Sequence, residues 1–199
     1  MPPIELEIRA EIKASDFQKT LAKLRRVGKK IKSEKRLIFM GFGRVQRRKF
    51  DVKVRITKGE KFAEVVVKKG ETHAASREEA VEKIPKKQFI GFVKMFALFG
   101  FWMKVGEREI HHFAFPKKAV VTLGRTGKIC FVEIERMTTK AREKKDKQDL
   151  KAIAKELDLK IITAKQFYDL CDRMTKKNDW RFLGREKDYQ KLARLLNKY

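Results

Sequence analysis

Cysteine is scarce in this chain of 199 residues, and its two copies carry no site signature. Cys130 and Cys171 stand far apart, without the close spacing of a zinc motif or the dense pattern of a disulfide-rich secreted domain. We expect both thiols to remain reduced and packed as small apolar groups, which favours a cytoplasmic protein. Met-Pro-Pro leads directly into the first predicted strand, so no secretory signal peptide is expected.

Long hydrophobic runs are also missing. The most apolar stretch, residues 89–105, is interrupted by Lys94, Gly91 and Gly100, and it is too short to cross a bilayer. We therefore expect no membrane partner. Hydrophobic residues still make up 42% of the chain, which excludes global disorder and allows one domain with a sizeable core.

Acidic residues are in short supply relative to basic ones. The chain has 26 Asp and Glu against 51 Lys and Arg, for a formal net charge of +25. Such a balance indicates an anionic partner, either a nucleic acid such as RNA or a polyphosphate or nucleotide. A solvated lysine-rich surface would give the same charge, so composition does not separate these readings.

The pattern of apolar and polar residues predicts a chain rich in strands. Alternation predicts eight of them, at 4–13, 35–43, 50–57, 62–69, 77–84, 102–113, 119–123 and 128–136. Helices are predicted after the first strand, at 86–99, from the charged segment 138–148 through Leu157, and at 164–174. This set of elements favours an α+β fold, a β-barrel or sandwich decorated by helices.

Two strands carry paired glutamates. In the first, Glu5, Glu7 and Arg9 share one face while apolar residues occupy the other. In the last, Glu133 and Glu135 alternate with apolar neighbours in the same way. If the sheet closes, four carboxylates can meet, and they would repel each other without cations. Oxygen ligands alone favour Mg²⁺ or Mn²⁺.

Basic residues follow other strands with the same period of two. They are Lys53, Arg55, Lys68, Arg77, Lys104 and Arg108. Opposite a carboxylate cluster, such rows would form a cavity with a metal-binding pole and a phosphate-binding pole. Each motif alone is typical of a solvated strand face, and the prediction depends on their order and spacing together.

That order resembles the CYTH family, also called triphosphate tunnel metalloenzymes. The family includes class IV adenylate cyclases, thiamine triphosphatases and inorganic tripolyphosphatases. Its N-terminal E-x-E-x-K strand is similar to Glu5, Glu7 and Arg9, with arginine in place of lysine. Its late strand with two glutamates is similar to residues 131–135, which read Phe-Val-Glu-Ile-Glu.

The resemblance extends to the basic strands, with two departures. Lys53 and Arg55 resemble the family's R-x-R strand, Lys68 its strand ending in lysine, and Arg77 with Glu79 its R-x-E element. Arg108 fits the late K-x-R strand, but Gly106 stands where lysine is usual, and Lys104 could substitute from two residues earlier. Gly124 stands at an acidic position of the family.

The resemblance implies an eight-stranded antiparallel β-barrel that forms a tunnel, with a divalent cation and a triphosphate inside. It covers about residues 4–174, so we expect a tunnel domain at 1–174. Residues 175–199 lie outside it, and we expect a C-terminal helical extension that packs on the barrel. An interior of eight strands accommodates side chains or one slender ligand.

The implied function is metal-dependent hydrolysis of a triphosphate-containing substrate. Glu5, Glu7, Glu133 and Glu135 would be catalytic ligands of Mg²⁺ or Mn²⁺, with Glu79 as an additional candidate, and Arg9, Lys53, Arg55, Lys68, Arg77, Lys104 and Arg108 would bind the triphosphate. The alternatives are an adenylate cyclase of the same fold and a non-catalytic binder of polyphosphate, nucleotide or RNA. The oligomeric state is expected to be a monomer or a homodimer.

Overall fold

The computed structural model of the protein describes residues 4–71 and 76–199. The expectation about a signal peptide concerns residues 1–3, which lie outside the described part. The strands are β1 (Ile4–Ile12), β2 (Lys29–Val45), β3 (Arg48–Thr57), β4 (Phe62–Lys69), β5 (Ser76–Pro85), β6 (Trp102–Phe115), β7 (Ala119–Thr126), β8 (Ile129–Thr138) and β9 (Trp180–Phe182). The helices are α1 (Phe17–Val27), α2 (Phe89–Ala97), α3 (Glu143–Glu156), α4 (Ala164–Lys177) and α5 (Glu186–Leu196).

Eight of the strands close into an antiparallel barrel. Their order is β2-β3-β4-β5-β1-β8-β7-β6, and β6 pairs back onto β2 to complete the ring. Every pairing is antiparallel. Closure gives the main-chain groups of these strands a partner on both sides. The prediction of an α+β fold with an eight-stranded antiparallel barrel is confirmed.

Two strands differ from the sequence prediction. β2 begins at Lys29 rather than Lys35, because its first residues pair with the far end of β6 although they are charged and exposed. Those residues lack the apolar alternation on which the prediction depended. β9 lies within residues 175–199, where no strand was predicted, and it adds three residues alongside Met103–Val105 of β6.

Helices α1, α2, α3 and α5 pack on the outside of the barrel, where they cover the apolar faces of the strands. Leu6 of β1 is fully buried in one cluster with Leu24 of α1 and Leu150 of α3. Phe39 of β2 is fully buried in a second cluster with Phe89 of α2. Each such side chain stabilises the fold by about 1.5–3 kcal/mol. Since neighbouring residues of a strand alternate in direction, the charged faces are left to line the interior.

The C-terminal segment is integrated into the second cluster. The Phe182 ring packs edge-on against Phe39 at 5.4 Å and against Tyr189 at 5.0 Å between ring centroids. Leu192 and Leu196 of α5 belong to the same cluster. The segment thus supplies core residues as well as a ninth strand. In the described part of the chain, no helix combines the length and apolarity needed to span a bilayer.

We predict that Phe182→Ala lowers the free energy of unfolding by about 3–5 kcal/mol, because it empties a fully packed aromatic site. The matched control is Leu183→Ala, at the next residue, whose side chain is 46% exposed. It should change stability by no more than about 0.5 kcal/mol. Urea denaturation followed by circular dichroism measures both values, and equal losses would show that β9 does not contribute to the core.

Candidate functional site

A charged cavity of about 270 Å³ lies inside the barrel. Its wall contains all twelve residues that the sequence nominated: Glu5, Glu7, Arg9, Lys53, Arg55, Lys68, Arg77, Glu79, Lys104, Arg108, Glu133 and Glu135. They come from β1, β3, β4, β5, β6 and β8. The structure therefore brings the whole set to one place, while the role of each residue stays a prediction.

The two paired-glutamate strands are direct neighbours. In the β1–β8 ladder Glu7 lies opposite Glu135, and Arg9 lies opposite Glu133. Directly opposed residues of an antiparallel pair have Cβ atoms about 4.5–5.5 Å apart. Strand pairing alone thus holds the carboxylates side by side.

Crowding of the carboxylates changes their acidity. Burial, followed by the charges of Glu7 and Glu5, raises the pKa of Glu135 to about 8. Burial and Glu7 likewise raise the pKa of Glu133. Glu7 is also buried, but the positive charges of Arg9 and Lys68 outweigh that burial and lower its pKa. Negative charge is in excess at this part of the wall.

Ion pairs along the cavity wall compensate part of this charge. Lys68 of β4 donates to Glu5, and Arg9 donates to Glu7. Arg77 pairs with Asp51 at 2.5 Å. Asp51 is buried, and the sequence prediction did not include it. It lies two residues before Lys53, on the same face of β3.

Carboxylate oxygens are suitable ligands for a divalent cation, but in this structure Glu5 and Glu7 form ion pairs with basic side chains. Within residues 4–71 and 76–199, no three acidic, histidine or cysteine side chains are placed together to hold a metal ion. Glu5 and Glu7 are drawn toward Lys68 and Arg9 instead. Burial and the neighbouring carboxylates raise the pKa of Glu135, because they disfavour a further negative charge there.

The opposite wall has an excess of positive charge around Lys53. Burial, and then the charges of Lys68 and Arg77, lower the pKa of Lys53 to about 8. Arg55 is compensated by Glu64 at 2.7 Å. The cavity therefore has a negative side on β1 and β8 and a positive side centred on β3.

A residue outside the predicted tunnel domain contacts two residues of the wall, Lys104 and Arg108. Asp179, between α4 and β9, accepts two hydrogen bonds from Arg108, at 2.7 and 2.8 Å. Lys104 lies 2.8 Å from the same carboxylate. The sequence prediction missed Asp179. The one indication of it in the sequence was the glycine at position 106. A Cβ atom on Gly106 would come 2.1 Å from the Asp179 oxygen, so the glycine leaves room for it.

The second glycine departure also has a structural reason. A Cβ atom on Gly124 of β7 would lie 2.4 Å from the ring of Phe131 on β8. Phe131 lines the cavity. An aromatic ring therefore occupies the space near the position where the resemblance implies a carboxylate.

Helix α4 supplies an apolar part of the wall. Phe167, Leu170, Cys171 and Met174 line the cavity. The guanidinium of Arg9 lies 4.3 Å from the centroid of the Phe167 ring, a distance suited to a cation–π contact. Cys130 and Cys171 are both free, and burial raises the pKa of each thiol, as expected for packed cysteines.

Comparison with known proteins supports the fold. No protein-family model and no curated protein matches the sequence. Among solved structures, the PH1819 protein of Pyrococcus horikoshii OT3 superposes with a TM-score of 0.65 at 16% identity, over 86% of this chain and 99% of the other. A Vibrio parahaemolyticus protein described as a putative adenylate cyclase gives 0.63 at 15% identity, over 85% and 99%. The chain shares the fold of these structures, and its eight-stranded antiparallel barrel is the one that the resemblance to the CYTH family implied.

A third protein with a similar fold comes from Hippeastrum. That protein is described as a putative adenylyl cyclase with a dominant triphosphatase activity. It superposes with a TM-score of 0.53 at 14% identity, over 80% of this chain and 89% of the other. At such identities the likeness concerns the fold.

We predict that Lys53→Met makes the protein more stable at pH 7, because methionine carries none of the charge that burial, Lys68 and Arg77 disfavour. The pKa of Lys53 is about 8 in the fold, below the ordinary lysine value of 10.5. The unfolded chain therefore binds more protons between these values, and wild-type stability gains a contribution as pH rises from 8 to 10.5. The variant should lose that contribution.

Urea denaturation across this pH range measures the effect, and Lys61→Met, at an exposed residue, is the matched control. It should keep the wild-type pH dependence. The same dependence in Lys53→Met would mean that Lys53 is not destabilised in the cavity.

Proposed function

We propose that the protein is a divalent-metal-dependent hydrolase of a triphosphate-containing substrate. The supporting observation is the β1–β8 ladder, which sets Glu7 against Glu135 and Arg9 against Glu133 inside a cavity rich in Lys and Arg. A metal–triphosphate ligand carries both signs of charge in the arrangement that such a cavity complements.

The size of the cavity is consistent with a slender anion. About 270 Å³ is below the 300–1,000 Å³ that is common for pockets of drug-sized ligands. Arg9 and Arg36 both line the cavity, and their buried Nε atoms have no hydrogen-bond partner among the described residues. Buried donors of this kind cost free energy unless an acceptor reaches them, and phosphate oxygens would do so.

The proposed roles follow the two sides of the wall. Glu5, Glu7, Glu133 and Glu135 would hold Mg²⁺ or Mn²⁺, with Glu79 as an additional candidate ligand. The bound ion would supply an activated water and compensate charge on the phosphate oxygens. Arg9, Lys53, Arg55, Lys68 and Arg77 would align the phosphate chain and stabilise charge that develops during transfer.

A non-catalytic binder of triphosphate compounds is the second candidate. It is favoured by the ion pairs of Glu5 and Glu7, which leave no three acidic groups of the described residues placed for a metal. In that case the positive side of the cavity would bind phosphate without turnover.

One assay separates these candidates. Purified protein with Mg²⁺ or Mn²⁺ is offered tripolyphosphate, ATP and thiamine triphosphate, and phosphate, pyrophosphate and cyclic AMP are measured. Release of phosphate or pyrophosphate supports the hydrolase, whereas cyclic AMP would indicate a cyclase. Binding of triphosphates without turnover would contradict the enzyme proposal and support the binder.

We predict that Glu133→Gln lowers turnover by about 100-fold or more, since even mutation of groups that only support metal ligands costs about 10- to 100-fold. Triphosphate binding, measured by isothermal titration calorimetry, should persist because the cationic side is intact. Glu156→Gln, at an exposed residue of α3, is the control and should keep full activity. Undiminished turnover in Glu133→Gln would remove this glutamate from the mechanism.

A further inference from the structure

The loop between α4 and β9 carries a carboxylate into the positive side of the barrel. The side chain of Asp179 is fully buried, and both of its oxygens bond to Arg108. Lys104 lies 2.8 Å from one of these oxygens and donates to Thr175 at 3.0 Å. Burial alone would raise the pKa of Asp179, but Arg108 and Lys104 lower it, so the carboxylate is ionised.

This contact has the two-bond geometry in which arginine binds a carboxylate or a phosphate. A guanidinium that donates two parallel bonds, joined by a lysine ammonium, is the arrangement in which proteins commonly bind phosphate oxygens. Asp179 supplies the two acceptor oxygens from within the chain. Lys104 and Arg108 thus already hold an anion.

The backbone fixes Asp179 in this position. Its N–H donates to the carbonyl of Met174 at 2.9 Å, which closes the end of α4. The next residues form β9, which pairs with Met103–Val105, and Phe182 is buried in the core. The missing side chain at Gly106 provides the space that the carboxylate occupies.

Elsewhere on the positive side, Lys68 and Arg77 are paired with Glu5 and Asp51 of the wall itself. Among the described residues, no carboxylate lies within ion-pair distance of Lys53. At Lys53 the largest effects after burial are the positive charges of Lys68 and Arg77. Anionic groups of a ligand are therefore favoured near Lys53, whereas at Lys104 and Arg108 they would compete with a buried, anchored carboxylate.

We propose that Asp179 takes the place of a phosphate group at Lys104 and Arg108 and so restricts the tunnel to short phosphate chains, of triphosphate length, bound at Arg9, Lys53, Lys68 and Arg77. This proposal rests on the triphosphate site proposed above. Asp179 acts as a determinant of chain length, because a longer chain would need the cations that it occupies.

The test compares the affinities of tripolyphosphate, tetrapolyphosphate and long-chain polyphosphate for wild type and Asp179→Asn. Titration calorimetry is carried out at high salt, which screens the exposed lysines. Asparagine keeps the shape of the side chain and removes its charge. We expect Asp179→Asn to bind the two longer ligands at least about 10-fold more tightly, with a change of less than about 3-fold for tripolyphosphate.

Asp172→Asn is the matched control, because it makes the same change of charge at an exposed residue of α4. It should keep the wild-type affinities for all three ligands. An equal gain in Asp172→Asn would mean that net charge, and not the Asp179 position, sets the preference, and it would overturn the proposal.

The outcomes separate this proposal from the proposed function. If wild type binds and hydrolyses tripolyphosphate but Asp179→Asn keeps its chain-length preference, the role of Asp179 is overturned and the function stands. If wild type binds no triphosphate, both fall. If circular dichroism shows that Asp179→Asn does not fold, the wild-type affinities alone test the proposal. An affinity that rises from tripolyphosphate to longer chains would contradict it.

Discussion

Charge compensation inside a closed barrel is the constraint on which this structure depends. The helices cover the apolar strand faces, so the charged faces turn inward, where an ion without a partner costs several kcal/mol. The chain meets this cost with pairs between strands distant in sequence, such as Glu5 with Lys68 and Arg77 with Asp51. These pairs hold the interior polar and leave space for a cavity.

Charge compensation is incomplete at Glu135 and Lys53, and uncompensated charges of this kind are typical of a binding site. Glu135 keeps a raised pKa because burial and other carboxylates disfavour its charge, while Lys53 has a lowered pKa because burial and other cations disfavour its own. Both are costs to the ligand-free fold, and such costs are typical of binding sites. A ligand with a divalent cation and a phosphate chain would relieve both at once.

Gly106 and Gly124 looked like losses when the sequence was compared with the family pattern. In the structure each glycine leaves room for another side chain, Asp179 beside Gly106 and Phe131 beside Gly124. At both positions a neighbouring side chain therefore occupies the space that a larger residue would need. A carboxylate now neutralises Arg108, and an aromatic ring fills the space by β7.

The sequence by itself determined which residues form strands and which face each one buries, because a period of two is a local property of the chain. This alternation, together with the resemblance to the CYTH family, predicted the eight-stranded barrel and nominated the twelve residues that line one cavity. Only the tertiary structure decided the pairing of Glu7 with Glu135, the extended start of β2 at Lys29 and the arrival of Asp179 beside Arg108. Those contacts join segments far apart along the chain, and closure of the barrel and packing of the C-terminal segment bring them together without a local signal.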